Sequence, residues 1–153
     1  MQDLSALFAQ ATQHCEQFAE LLDQEHQVLL DQDMDALDAL TKAKTPLIAV
    51  LVADEQALSA QCETLSKPAS QSLTDFIGSL DNPALAAQHT DFLTAAERCQ
   101  NANLRNARLI RHSQHINSRL LDLLRNQGEA SQNVYDRQGN ASRSASGRPI
   151  SRA

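Results

Sequence analysis

The chain has 153 residues, 42% of them apolar, with no tryptophan, 3% aromatics and only four glycines and four prolines. That length suits one domain, and a composition rich in Leu and Ala and poor in Gly and Pro favours an all-α fold. The net charge of −6 argues against general DNA binding, and a core of small aliphatic side chains suits narrow helix–helix seams better than a deep ligand pocket.

The charge is unevenly spread. Residues 1–97 hold sixteen acids against Lys42, Lys44 and Lys67, a net of −13, whereas residues 98–153 hold ten arginines against three acids, a net of +7. Two such halves attract each other when they lie side by side. The opening MQDLSALFAQATQHCEQ lacks the basic start and unbroken apolar stretch of a signal peptide. No window approaches the roughly 18 apolar residues of a membrane span, so a cytoplasmic protein without membrane insertion is expected. Cys15, Cys62 and Cys99 are odd in number and widely spaced, which implies no disulfide framework. Each falls where a helix would bury it, and there a free thiol behaves as a small apolar group.

The first element is a helix with a heptad rhythm. Leu4, Phe8, Ala11, Cys15, Phe18, Leu22, Glu25 and Leu29 follow alternating steps of four and three, which makes a coiled-coil-like seam on one face. Glu25 is the polar exception on that stripe. At LLDQDMDALDAL the rhythm breaks. Asp33 is suited to cap a restarted helix, and Asp35 then sits in the first turn, where the helix dipole favours an anion. Leu37, Leu40, Leu47, Leu51 and Leu58 carry the stripe onward. Pro46 either interrupts or kinks this second helix or, with Thr45, opens a new one.

Pro68, Gly78, Asn82 and Pro83 mark turns around a short helix within SQSLTDFIGSL. Asn82-Pro83 then opens the longest helical pattern, expected to run to Gln127 with Gly128 as its left-handed cap. Its stripe includes Leu85, His89, Phe92, Ala96, Cys99, Asn103, Asn106, Ile110, Ile116, Leu120, Leu123 and Leu124. Residues 128–153 hold little to bury and are expected to be disordered alone. The sequence therefore predicts an elongated antiparallel helical bundle over residues 1–127 and a flexible tail over 128–153. No repeat of the solenoid kind is present.

Chemistry is poorly provided for. There is no Gly-rich phosphate loop, no G-x-S-x-G, no C-x-x-C and no H-E-x-x-H, and no E-x-x-H of the di-iron bundles. His112 and His115, three apart, could share a metal but read better as solvated surface, as do His14 and His26; His89 falls on the seam. The expectation is no enzyme activity, no cofactor and no metal. Asn103 and Asn106 interrupt an apolar stripe. They either fix register, because a slipped pairing leaves their amides unsatisfied, or mark an exposed groove for a partner. Arg98, Arg105, Arg108, Arg111, Arg119 and Arg125 read as a solvated face able to pair with the acidic half; a nucleic-acid face would want interleaved aromatics.

Three stretches in order, LLDQEHQVLLDQDMDALDALTKAKTPLIAVL, NANLRNARLIRHSQHINSRLLDLL and VYDRQGN, resemble the FlgN family of bacterial flagellar export chaperones over roughly residues 15–140. Pro46 departs from the family's pattern. The resemblance implies a chaperone that binds the hook–filament junction proteins, hook-associated proteins 1 and 3, in the cytoplasm. It would take up their C-terminal amphipathic segments, keep them unassembled and deliver them to the export gate and ATPase complex. With the family's binding region carried over, the apolar residues of the terminal helix, Ile110, Ile116, Leu120, Leu123 and Leu124, are the candidate substrate-protein site. By physics alone these five read as bundle core; with the resemblance the two readings stand level. The resemblance also implies export-gate docking through Tyr135, with Gly139 permitting the turn behind it. The alternative is a coiled-coil adaptor or oligomerisation module unrelated to flagella, self-associating through the heptad face of residues 4–29.

Overall fold

The computed structural model describes residues 3–139, with side chains through residue 127. Among the described residues there are four helices and no strand: α1 (Leu4–Asp31), α2 (Met34–Thr64), α3 (Leu73–Ser79) and α4 (Pro83–Gly139). The chain divides into two units, Met1–Ile110 and Arg111–Ala153.

The helix boundaries follow local chemistry. Asp3 caps α1 by accepting from the Ser5 N–H at 3.3 Å. α1 ends at Gln32, whose left-handed φ of 57° lets its N–H return to the Val28 carbonyl. Asp33 caps α2 by accepting from Ala36 N–H at 3.0 Å, with Asp35 in the first turn. Ser72 caps α3 by accepting from Asp75 N–H at 3.1 Å, and its hydroxyl donates to the Asp75 carboxylate at 2.6 Å. Asn82 accepts from Leu85 N–H at 3.2 Å and so opens α4 behind Pro83.

Pro46 neither breaks α2 nor starts a new helix; it lies inside an unbroken Met34–Thr64. A proline there removes the hydrogen bond that the Lys42 carbonyl would accept. Both residues are exposed, so water can take that carbonyl. The Thr41 and Thr45 hydroxyls on the same stretch donate to carbonyls four residues back, at 2.9 and 3.1 Å.

Within the first unit, α2 returns antiparallel to α1: Lys44 meets Glu25 near the turn, and Asp54 meets His14 and Gln10 further along. α4 runs parallel to α1, because α3 and its flanking turns carry the chain back to the starting end. Phe8 packs on Phe92, Cys15 meets Cys99, and Leu22 meets Asn106. Successive contacts fall seven residues apart on both helices, at 8, 15 and 22 against 92, 99 and 106, so one face of each helix stays toward the other along the seam.

The core lies at the α3 end. Leu4, Leu7 and Phe8 of α1 pack with Leu58 of α2 and with Phe76 and Ile77 of α3. Phe8 and Ile77 are essentially inaccessible, and burial on that scale contributes about 1.5–3 kcal/mol per side chain. The heptad face of residues 4–29 is thus largely consumed inside the chain: Leu4, Phe8, Ala11, Cys15, Leu22 and Glu25 are all buried.

The second unit is different in kind. Every described side chain from 111 to 127 is exposed, although the backbone stays helical. Nor does α4 stop at Gly128, where a cap was expected; it continues to Gly139. A single interior glycine costs a helix only about 1 kcal/mol, and Glu129, Ala130, Gln132, Arg137 and Gln138 beyond it are sound helix formers. The expected disorder of residues 140–153 lies outside the described residues.

Candidate partner-binding site

Two polar clusters fix the helices that frame the site. At the α1–α2 turn end, Asn106 is 1% exposed. Its amide donates to the Leu22 carbonyl at 2.7 Å and to Glu25 Oε2 at 2.8 Å. The other Glu25 oxygen accepts from Lys44 Nζ. Glu25, the polar exception on the α1 stripe, is therefore the point where α1, α2 and α4 meet. Arg105 and Arg98 extend the cluster outward, donating to the two Asp23 oxygens at 2.9 and 3.0 Å. The Arg105 hydrogen bond, followed by that of Arg98, holds the Asp23 carboxyl below its ordinary 3.8.

Further toward the α3 end, Asp54 is buried and accepts from Gln10 Nε2 at 3.0 Å, with His14 Nδ1 2.6 Å from its other oxygen. His14 is not free surface, as the sequence suggested, because this carboxylate from α2 draws it into the interface. His26 is likewise half-buried, and its Nδ1 has no partner among the described groups. His89 lies on the seam as expected, its ring 5.3 Å from that of Phe8 and its Nε2 without a partner. Burial pushes its pKa down.

Between α2 and α4, with α1 as its floor, the first unit holds an open groove of about 700 Å³. Cys15 and Phe18 floor it, Leu58 and Cys62 form the α2 wall, and Phe92 and Cys99 form the α4 wall. The narrow seams expected from small side chains hold between α1 and α4, but the space between α2 and α4 is left unfilled. Burial raises the Cys15 thiol to about 11, with Cys99 beside it adding to the effect. Cys62 and Cys99 are also raised by burial. Neutral thiols of this kind behave as small apolar groups and not as nucleophiles. The α2 rim is acidic, carrying exposed Glu55 and Glu63.

The two asparagines separate here. Asn106 is the register residue. Asn103 is exposed and lines the groove, the other role that its place on the stripe allowed.

The residues singled out on the terminal helix are all exposed. Ile110, at the end of the first unit, is 37% accessible; within the second unit Ile116, Leu120, Leu123 and Leu124 rise from 44% to 65%. None is bundle core. At about 100° per residue, Ile116, Leu120, Leu123 and Leu124 share about 100° of arc. Leu121, 63% exposed, was missed; it belongs to the same RLLDLL run but lies about 60° outside that arc at 100° per residue. The backbone of Tyr135 lies within α4, and Gly139 is its last residue; the side chain of Tyr135 lies outside the described residues. The groove was also missed; of the run PLIAVLVA (residues 46–53), apolar at every position, only Leu51 lines it. A helix apolar on all sides is normally buried all round, yet Ile48, Val50 and Val52 are exposed.

Among the described residues no three His, Cys, Asp or Glu side chains gather as a metal site, and no helix is long and apolar enough to cross a membrane. Parallel and antiparallel helices locked by a buried polar node, with a groove open between α2 and α4, define the first unit as a helical bundle. The chain belongs to the FlgN family: the FlgN protein family matches residues 1–143. A crystal structure of a flagella synthesis protein FlgN from Pseudomonas aeruginosa is similar, with 29% sequence identity and a TM-score of 0.63, covering 72% of this chain and 90% of that one. No curated protein matches the chain.

Proposed function

We propose that this chain is a flagellar export chaperone. It binds hook-associated proteins 1 and 3 in the cytoplasm, keeps them unassembled and hands them to the export gate and ATPase complex. Family membership and the similar flagella synthesis protein support a flagellar role. The observation that carries the chaperone reading is the exposed stripe Ile116, Leu120, Leu123 and Leu124, on a stretch of helix where no described side chain is buried. An amphipathic segment of a subunit awaiting assembly covers such a stripe with its own apolar face, in the manner of helix recognition generally. Tyr135 and Gly139, at the end of α4, are the residues assigned to docking at the gate.

The adaptor alternative required the heptad face of residues 4–29. Its buried members leave too little of that face for another chain, so nothing favours that reading. The test of the chaperone reading is removal of residues 110–153. The truncated chain is expected to keep its helical first unit and lose a one-to-one complex with hook-associated proteins 1 and 3. Undiminished binding would move the site elsewhere.

A further inference from the structure

We propose that residues 111–127 of α4 form an amphipathic helix that lies flat on a bilayer surface rich in anionic phospholipids. Every described side chain of this stretch is exposed. At about 100° per residue, Leu123, Ile116, Leu120, Leu124 and Leu121 follow one another around an arc of about 160°. No charged residue of the stretch falls inside that arc. Its width separates it from a helix–helix seam, since the stripe that one partner helix covers is narrower. A partner helix laid on Ile116, Leu120, Leu123 and Leu124 leaves Leu121, 63% exposed, uncovered. A flat apolar boundary covers all five, as it does for helices that lie in the plane of a membrane interface.

Charge is arranged for the same surface. Arg119 lies about 40° beyond the Leu123 edge of the arc, and Arg125 about 40° beyond the Leu121 edge. From such borders an arginine rests its methylenes on the apolar boundary and reaches a phosphate with its guanidinium. The one acid of the stretch, Asp122, lies about 180° from the centre of the arc, where it faces water. The rest of the chain does not supply the attraction to an anionic surface: residues 1–110 hold sixteen acids against six lysines and arginines, whereas residues 111–153 hold seven arginines against three acids. The contact is one of lying on the bilayer and not of spanning it, since no described helix is long and apolar enough to cross. It does not rest on the chaperone role. If that role holds, substrate covers four of the five apolar side chains, and loading competes with the membrane for them.

The experiment is co-sedimentation of the full chain with phosphatidylcholine vesicles, with and without phosphatidylglycerol, at low and high salt. Binding is expected only where phosphatidylglycerol is present, and it is expected to weaken as salt rises. Arg119→Glu/Arg125→Glu and Leu121→Asp change only exposed positions, and circular dichroism checks that both stay helical. Each is expected to bind the anionic vesicles at least about tenfold more weakly than wild type. Leu121→Asp is expected to keep the wild-type affinity for C-terminal peptides of hook-associated proteins, because Leu121 lies outside the stripe assigned to them. The two readings fail separately: a wild type that binds the anionic vesicles but no peptide upholds this proposal and contradicts the chaperone role. A wild type that binds no vesicle, or binds both kinds equally, overturns the proposal, as does undiminished vesicle binding by Leu121→Asp. A Leu121→Asp variant that loses peptide and vesicle to the same degree would place Leu121 in a protein interface, and that too overturns it.

Discussion

Asn106 of α4 donates one amide group to two acceptors on α1, the Leu22 carbonyl and the Glu25 carboxylate, at 2.7 and 2.8 Å. No apolar residue can replace it without leaving both acceptors short. The register of α1 against α4, and with it the α4 wall of the groove, rests on this contact. Asn106→Leu is expected to destabilise the chain by about 1–3 kcal/mol, the cost of buried groups left unsatisfied, as read by the urea midpoint. Asn103→Leu, at an exposed position on the same stripe, is expected to stay within about 0.5 kcal/mol of wild type.

The Glu25–Lys44 pair ties α2 into the same node, and both side chains are largely buried. Breaking such a pair from one side leaves an uncompensated charge, which costs about 3–5 kcal/mol. Lys44→Met is therefore expected to lower stability sharply. Glu25→Leu/Lys44→Met is expected to recover most of the loss, since an apolar replacement of both partners is often neutral. A double-mutant cycle in urea measures the coupling, and simple additivity would contradict a buried node.

His89 sets an acid limit on the first unit. Its ring is buried against Phe8 without a partner for Nε2, and burial holds its pKa below the ordinary 6.5. The unfolded chain therefore binds this proton first, so the neutral ring contributes stability above pH 6.5 that is lost as pH falls toward the folded value. Asp23, held below 3.8 by Arg105 and Arg98, adds a separate loss below that pH. In thermal melts from pH 7.5 to 5, His89→Leu is expected to flatten the decline relative to wild type. An unchanged slope would assign the decline to other groups.

What was legible in the sequence was what neighbours in the chain decide. Asp33, Asn82 and Pro83 announced helix starts because caps act over three or four residues, and the α1 stripe was legible because burial follows its period. Glu25 looked like an error in that stripe because its partners lie 19 and 81 residues away. Pro46 offered a break, a kink or a new start, and the break and the new start are excluded, since an exposed helix can surrender one carbonyl to water. Gly128 read as a stop, but one glycine is weaker than the run of helix formers that follows it. The groove was hardest to foresee. It is a contact that α2 and α4 do not make, and a periodic apolar stripe looks the same whether a neighbour fills it or not. The stripe near the end of α4 was legible as residues, while its exposure was not.

The central claim is that the apolar stripe of α4 beyond Ile110 takes up the amphipathic C-terminal segment of a hook-associated protein. Titration calorimetry of the full chain with peptides from the C-termini of hook-associated proteins 1 and 3 measures it directly, comparing wild type with Leu120→Asp/Leu124→Asp. Both leucines are more than half exposed, so the variant is expected to fold normally and to lose at least about a hundredfold in affinity. Binding of the folded variant as tight as that of wild type would contradict the claim.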